Sequence, residues 1–219
     1  MIYSQDGKTV LFIDPAAELL GYTVMKFKDG VATVINAGAI YASSSWELGR
    51  RLFYMQKCLK WLLGHFKIDH IISEDFVMPK GRQSGVSVVP SVINLLRMLA
   101  YELKLTMETI SVPTWHKNLG ISSIPTLDKK GQLVLNARGK PKPDWKTPCR
   151  WKVAEILSIK LPKTIMTNTS LDQRDLPFDL TDSLGIALAW SIMHHYPKLV
   201  ALPTLFETEN ISKTFYTFK

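Results

Sequence analysis

Cysteine is scarce in this chain, and its scarcity excludes two kinds of stabilising framework. Among 219 residues only Cys58 and Cys149 occur, and neither belongs to a closely spaced pair or a Cys/His ligand pattern. A disulfide scaffold needs more cysteines, and a zinc site needs its ligands at short, fixed spacings. The chain must therefore fold around an ordinary core, for which 46% hydrophobic residues suffice.

Long apolar runs are missing as well. The longest, around 184–193, is too short to cross a bilayer, and the N-terminus lacks a charged start followed by a cleavable apolar stretch. Together with the cysteine content, this favours a soluble protein of the reducing cytoplasm with no membrane partner.

Acidic residues are outnumbered by basic ones, 19 against 27, which gives a net charge of +8. The excess is concentrated, because residues 121–163 contain ten Lys or Arg but only three acids. That segment alone carries seven of the eight net positive charges. A concentrated positive segment favours a polyanionic partner.

Hydrophobic periodicity predicts the order of strands and helices. Thr9–Ile13 is typical of a buried strand ending at Asp14, and the turn Asp29-Gly30 predicts a hairpin between two further strands. Apolar residues at three- and four-residue steps from Ser45 to Phe66 predict a helix with a serine N-cap. Later segments predict a strand at 69–74, a helix ending near 102, a strand at 109–113 and helices at 149–159 and 180–194.

Three hairpin strands followed by alternating helix and strand resemble the order of elements in ribonuclease H-like proteins. We therefore expect an α/β fold with a five-stranded mixed sheet flanked by helices. One domain should span residues 1–196 and contain a basic insertion at about 121–146, with a C-terminal tail at 197–219. We expect no internal repeat.

Four carboxylates fall where this fold would bring them together. Asp14 and Glu74 each end a predicted strand, while Asp179 and Asp182 lie three apart on one face of a predicted helix. The first and fourth strands are neighbours in this order, so all four acids should meet at one sheet edge. Any single one could instead be a helix cap or a solvated strand end.

A carboxylate cluster of this kind needs cations. Ligands made only of oxygen suit Mg²⁺ or Mn²⁺, and two such ions roughly 4 Å apart activate water for phosphodiester hydrolysis. Such chemistry needs no protein nucleophile, which agrees with the absence of a catalytic Cys or Ser motif.

Motifs in three places, in order along the chain, resemble the RuvC-type Holliday junction resolvases, a ribonuclease H-like family. Phe12-Ile13-Asp14-Pro15, followed by Gly21-Tyr22, resembles the family's first strand and hairpin. Ile72–Phe76 resembles its second acidic strand, and Asp179–Ala187 resembles its closing Asp-x-x-Asp helix. The resemblance covers most of residues 9–194. Ala16 stands where the family has Gly, and with the insertion and tail this suggests a divergent branch, for which a phage origin is one option.

The resemblance implies a homodimeric, Mg²⁺-dependent endonuclease that binds four-way DNA junctions and makes paired, symmetric nicks. Its catalytic and metal-binding residues would be Asp14, Glu74, Asp179 and Asp182. An aromatic just after the second acid packs against junction bases in the family, and Phe76 stands one residue earlier than that position. Basic residues late in the fold contact phosphates, and the loop after Glu74 adds two more. The DNA-binding candidates are thus Phe76, Lys80, Arg82, Lys117, Lys146 and Arg150.

The basic insertion is the second expected DNA contact. Leu127–Leu135 predicts a small hairpin, followed by the basic stretch Arg138–Lys142. We expect an arm that grips phosphates, with Trp145 or Trp151 available to stack on an unpaired base. The alternative is a solvated loop whose tryptophans pack on the domain.

Three other functions remain to be weighed. An ATP-using protein of the same broad fold needs a Gly-rich phosphate loop, which Asp14–Glu18 does not supply. A DNA-binding module without activity has no reason to gather four acids that repel phosphate. A ribonuclease H-like nuclease acting on flaps, RNA–DNA hybrids or transposon ends shares the metal chemistry and is the main alternative.

Overall fold

A computed structural model describes residues 6–76, 88–161, 164–166, 173–175 and 178–202. The strands of this part, in chain order, are β1 (Thr9–Asp14), β2 (Leu19–Lys28), β3 (Val31–Tyr41), β4 (His70–Glu74), β5 (Thr106–Ile110), β6 (Ile124–Pro125), β7 (Pro143–Asp144), β8 (Thr164–Met166), β9 (Gln173–Asp175) and β10 (Lys198–Ala201). The helices are α1 (Leu48–His65), α2 (Val88–Glu102), α3 (Val112–Leu119), α4 (Lys146–Leu157) and α5 (Phe178–Met193). No helix in these ranges is long and apolar enough to cross a membrane.

Six strands form the central sheet in the order β10-β3-β2-β1-β4-β5. β1, β2 and β3 are an antiparallel meander, β4 runs parallel to β1 and to β5, and β10 runs parallel to β3. Asp29 and Gly30 join β2 to β3 with positive φ angles of 51° and 75°, as a tight hairpin turn requires. The predicted mixed sheet flanked by helices is confirmed, with six strands rather than five. The sixth lies in the segment expected to be a tail, so the sheet extends to Ala201.

Helices cover both faces of the sheet, and the side chains of β1 pack alternately against the helices on each face. Val10 and Phe12 pack into the cluster under α3, α4 and α5, whereas Leu11 and Ile13 pack into the cluster under α1 and α2. All four side chains are fully buried. The continuous apolar run of β1 is therefore the run of a central strand covered on both sides.

Two local predictions are wrong. α1 begins at Leu48 with Glu47 at the N-cap and no side-chain cap, so the expected serine cap is absent there. The Ser45 hydroxyl instead hydrogen bonds that of Ser43 at 2.8 Å. The fifth strand ends at Ile110 instead of continuing to 113, because Ser111 caps the unpredicted helix α3, accepting from the Thr114 N–H at 3.3 Å.

Residues 124–144 fold into two hairpins on one short stem, which we call the two-hairpin arm. β6 pairs antiparallel with β7 to form the stem. Above the stem, three backbone hydrogen bonds of 2.8 to 2.9 Å form a ring: Thr126 donates to Lys142, Lys142 to Val134, and Val134 to Thr126. The hairpins branch from this ring, with bridges Leu127–Leu133 and Leu135–Pro141.

The two turns of the arm share one sequence pattern and one arrangement of hydrogen bonds. Residues 127–131 and 135–139 share the pattern Leu, Asp or Asn, any residue, Lys or Arg, Gly, repeated after eight positions. In the first turn a carboxylate oxygen of Asp128 accepts hydrogen bonds from the backbone N–H groups of Lys130 and Gln132. In the second turn the amide oxygen of Asn136 accepts from those of Arg138 and Lys140. The four distances are 2.8 to 3.2 Å. Each pattern ends in a glycine of positive φ, 79° and 72°. The basic stretch after the first hairpin is therefore a second hairpin.

Candidate active site

Asp14 and Glu74 end neighbouring parallel strands and face the same side of the sheet. Phe12 of β1 pairs in register with Ile72 of β4, and both side chains belong to the core cluster under α5. Side chains alternate along a strand, so Asp14 and Glu74, two residues further on, also face α5. Strand order and alternation together thus bring the two acids to one place.

Helix α5 brings the other two acids to the same edge. Gly21 pairs with Asp14 across the hairpin, and a Cβ at position 21 would overlap the backbone carbonyl of Asp179. Because this Cβ is missing, the first turn of α5 can lie directly on the sheet. One turn later a buried hydrogen bond of 2.9 Å joins the hydroxyls of Thr23 on β2 and Ser183 on α5. Close packing of α5 on β2 therefore sets where its carboxylates lie.

The four carboxyls are withdrawn from water and interact with one another. Burial raises the pKa of Glu74 to about 7 and that of Asp182 to about 6. Burial and then repulsion from the other three acids raise the pKa of Asp14 well above its usual value, and burial also raises the pKa of Asp179.

Two predicted phosphate contacts lie beside the acids. Burial raises the pKa of each of the four carboxyls, whereas the positive charge of the Lys146 ammonium lowers the pKa of each. Lys146 therefore interacts electrostatically with the whole cluster. Arg150, one turn further along α4, also lowers the pKa of Asp182. Their cationic groups lie over the Phe178 ring, at 5.0 Å for Lys146 and 4.0 Å for Arg150. The start of α4 thus presents positive charge to the acidic edge.

Trp115 and Cys149 contact the acids but were not predicted from the sequence. The Trp115 indole N–H donates to a Glu74 carboxylate oxygen at 2.8 Å, and its buried ring packs where Gly185 leaves room on α5. The Cys149 thiol donates to the Thr181 backbone carbonyl at 3.6 Å, and its interaction with Asp182 lowers the pKa of that carboxyl. The available signal was the Ser-Val-Pro start of α3, since a buried tryptophan on such a helix needs an acceptor.

An open groove of about 820 Å³ adjoins the acids. Two of them, Glu74 and Asp182, line it together with Lys146 and the predicted contact Lys117. The remaining lining residues come from α3, the turn after it and the residue before α4: Val112, Pro113, Trp115, His116, Gly120, Ile121, Ser122 and Trp145. The groove therefore joins the acidic edge to basic and aromatic side chains.

The other predicted DNA contacts are only partly located. Phe76 is half-buried and follows Asp75, whose backbone N–H donates to the Ile110 carbonyl at 2.9 Å. Phe76 thus lies just beyond the acidic end of β4, as expected. Lys80 and Arg82 fall outside the described residues.

The carboxylates have the ligand chemistry of a hard divalent cation, since all their donors are oxygens and three elements contribute them. Within the described ranges, no set of three or more His, Cys, Asp or Glu side chains has the arrangement of a metal site as oriented. The residues present therefore fit a hard divalent cation in the chemistry of their donors.

A mixed sheet of this order, with acids ending β1 and β4 and starting the closing helix, defines a ribonuclease H-like fold with an acidic centre. Two solved structures that share the fold are both of RuvC. Thermus thermophilus RuvC in complex with a Holliday junction substrate matches with a TM-score of 0.58 and 14% identity, over 84% of this chain and 93% of that one. A second Thermus thermophilus RuvC structure gives 0.56 and 18%, with the same coverage. The predicted ribonuclease H-like fold class is therefore confirmed.

Sequence comparison also finds similarity to RuvC proteins. The crossover junction endodeoxyribonuclease RuvC of Dictyoglomus thermophilum is 29% identical over 79 residues, 36% of this chain and 50% of that protein. The RuvC of Caldicellulosiruptor saccharolyticus is 25% identical over 175 residues, 76% of this chain and 98% of that protein. The first match spans about half the length of the curated relative, and no family model matches the chain. Over the matched residues the chain is similar to RuvC proteins at 25% to 29% identity.

Proposed function

We propose that this protein is a metal-dependent endonuclease that cleaves branched DNA, four-way junctions foremost, by hydrolysing phosphodiester bonds. The observation that carries the proposal is the convergence of Asp14, Glu74, Asp179 and Asp182 beside a groove that also contains Lys146. Four acids next to a phosphate would repel it, so a structural or purely DNA-binding role does not account for their meeting. The similarity to RuvC, a protein named as a crossover junction endodeoxyribonuclease, supports the substrate.

In this proposal the four carboxylates hold Mg²⁺ or Mn²⁺ as a pair of ions. Bound divalent cations supply an activated water and charge neutralisation at the leaving oxygen. Trp115 donates to one Glu74 oxygen and so fixes how that carboxylate is presented. Lys146, with Lys117 and Arg150, attracts the phosphate of the strand to be cut. Phe76, Lys80 and Arg82 remain candidates for contacts to bases and backbone further from the acids.

Paired, symmetric nicks on a junction require two active sites, so the proposal includes a homodimer. It also treats the sheet and its helices as one nuclease domain, with the two-hairpin arm as its insertion. A ribonuclease H-like enzyme acting on flaps, hybrids or transposon ends would use the same carboxylates. Substrate choice is therefore what the experiment has to decide.

The test is nicking of a labelled four-way junction in Mg²⁺ or Mn²⁺, beside a flap, a linear duplex and an RNA–DNA hybrid. Wild type should cut the junction in pairs at symmetric positions. Loss of a group that merely supports a metal ligand typically costs 10- to 100-fold, so Asp182→Asn should lose more than about 100-fold while keeping junction binding. Sedimentation at the assay concentration should show the dimer.

Asp75→Asn is the matched control. It removes a carboxylate next to Glu74, but strand alternation directs Asp75 to the other side of the sheet, so cleavage should be kept. If the protein cuts chiefly hybrids or flaps, it is instead a ribonuclease H-like nuclease that acts on those substrates. Tight junction binding without cutting in either metal would rule out the enzyme.

A further inference from the structure

The groove beside the acidic centre has an aromatic wall that the proposed hydrolysis leaves unused. His116 on α3 and Trp145, the residue before α4, stack with ring centroids 5.0 Å apart and planes inclined by 21°. Trp145 nevertheless keeps 41% of its surface exposed. Val112 and Ile121 add apolar surface to the same groove. A planar apolar group therefore finds both space and a stacking partner there.

Each aromatic residue of this wall is followed directly by a cation that also lines the groove: Lys117 after His116, and Lys146 after Trp145. Lys146 acts electrostatically on all four carboxyls of the acidic centre. A nucleotide combines the same two parts, a planar base and a charged phosphate a short distance away. The groove thus has the complementary chemistry for one nucleotide placed between the aromatic wall and the acids.

We propose that the His116–Trp145 wall is a nucleobase subsite, which takes one unstacked base of the DNA strand whose phosphate lies at the acidic centre. The proposal rests on the proposed function, because it assumes that the scissile strand enters this groove. Stacking on an aromatic side chain tolerates every base, since each has a π-face. The subsite would therefore select strands that are locally unpaired, as at a branch point, over a continuous duplex.

Trp145 is assigned to this role in preference to Trp151. Trp151 is the more exposed of the two, at 62%, but it lies on α4 and is not among the residues that line the groove. Exposure alone therefore does not make a stacking site. Trp151→Ala is the matched control, since it removes an exposed tryptophan six positions along the chain.

The experiment measures DNA binding in an Asp14→Asn background, so that no strand is cut. The ligands are a four-way junction and a flap, each prepared intact and with a single abasic nucleotide placed in turn at every position flanking the branch. Trp145→Ala should weaken binding of intact DNA roughly 5- to 100-fold. It should have no further effect when the abasic nucleotide occupies one particular position. Trp145→Phe, which keeps a stacking ring, and Trp151→Ala should bind within about twofold of the background protein.

The position-specific loss is what a merely structural role of Trp145 would not produce. Equal weakening by Trp145→Ala on every abasic ligand, or no weakening on intact DNA, would overturn the subsite. The two proposals fail separately, because binding is read without cleavage. A wild-type protein that cuts no junction, yet whose Trp145 effect vanishes at one abasic position, would refute the resolvase function and support the subsite. Junction cleavage by a protein whose Trp145 effect is the same at every abasic position would support the resolvase function and refute the subsite.

Discussion

Gly21 faces the backbone carbonyl of Asp179 so closely that a single Cβ at position 21 would overlap it. Gly21 is also the residue that pairs with Asp14 across the β1–β2 hairpin. One missing side chain thus places the first turn of α5 against the strand that carries the first acid. The position of the acidic centre depends on this contact as directly as on the acids.

Gly21→Ala should therefore both destabilise the protein and displace the acids. The added methyl meets backbone that cannot rotate away, so we expect a loss of about 1–3 kcal/mol, as for overpacked cores. For a chain of this size that corresponds to a fall in Tm of roughly 2–4 °C per kcal/mol. Thermal unfolding measures it, and junction cleavage should fall even at temperatures where the variant is folded.

Gly49→Ala is the control for this substitution. A Cβ at Gly49 meets nothing within 4 Å, and the residue lies in α1, where alanine is the better helix former. Its Tm should be unchanged or slightly higher. If Gly21→Ala behaves like Gly49→Ala, the close contact with α5 is not what positions the site.

The hydrogen bond from Trp115 to Glu74 gives a second prediction. Trp115→Phe keeps a ring beside Gly185 but removes the N–H that stabilises the charged Glu74 carboxylate. The pKa of Glu74 should therefore rise above its already raised value, and the acidic limb of the cleavage profile should move to higher pH. Metal affinity should fall about 10- to 100-fold, as for other residues that orient ligands.

The measurement is the pH dependence of cleavage at several Mg²⁺ concentrations. Trp151→Phe, at an exposed tryptophan on α4, is the control and should leave both the pH limb and the metal dependence unchanged. A uniform drop in rate for Trp115→Phe, with no shift in pH or metal dependence, would show that the indole serves packing alone.

Burial of the acids predicts how stability depends on pH when no divalent cation is present. Burial raises the pKa of Glu74 from 4.5 to about 7 and that of Asp182 from 3.8 to about 6. A raised carboxyl pKa means that the folded state binds protons more tightly, so this contribution is full below about pH 4 and is lost as pH rises through 7. For Glu74 alone the loss is roughly 3 kcal/mol.

Thermal unfolding in EDTA should thus show a Tm that falls between pH 4.5 and pH 7.5. Glu74→Gln should flatten this fall and be more stable than wild type at pH 7.5, whereas Glu155→Gln, at an exposed surface position, should follow wild type. Added Mg²⁺ should restore wild-type stability at pH 7.5 by neutralising the acids. A wild-type Tm that rises across this range would contradict the raised pKa values.

The two-hairpin arm predicts a salt effect. Its repeated turns present Lys129, Lys130 and Arg138 at exposed tips. If these side chains bind DNA phosphates, replacing all three with alanine should make the plot of log binding constant against log salt concentration less steep. The decrease should be about 0.9 for each phosphate that the variant no longer neutralises, up to about 2.7. Nicking of a bound junction at saturating protein should be retained, because the acids are untouched.

Lys26→Ala/Lys28→Ala is the charge control for the arm. Both residues are exposed on β2, at the end remote from the residue that pairs with Asp14. Binding slopes measured between about 50 and 200 mM salt should be unchanged in this variant within about 0.3. Equal slopes for the arm variant and wild type would leave the arm as a solvated insertion.

The sequence alone predicted what depends on short-range pattern. Central strand β1, the Asp29-Gly30 hairpin and the acids at strand ends follow from alternation, turn chemistry and an apolar run, all of which act within a few residues. The resemblance to RuvC-type resolvases used the same local motifs. The turn pattern of the arm is also local, since it recurs after eight positions, so the sequence contained the signal for a second hairpin.

Only the tertiary structure decided which residues surround the acids. Trp115 lies 41 positions from Glu74 in the chain, and Gly21 lies 158 positions from Asp179, so no local pattern links either pair. The edge strand β10 joins the sheet only because β3 offers a free edge in register with it. Contacts between distant segments depend on how whole elements pack, and packing is a property of the folded chain as a whole.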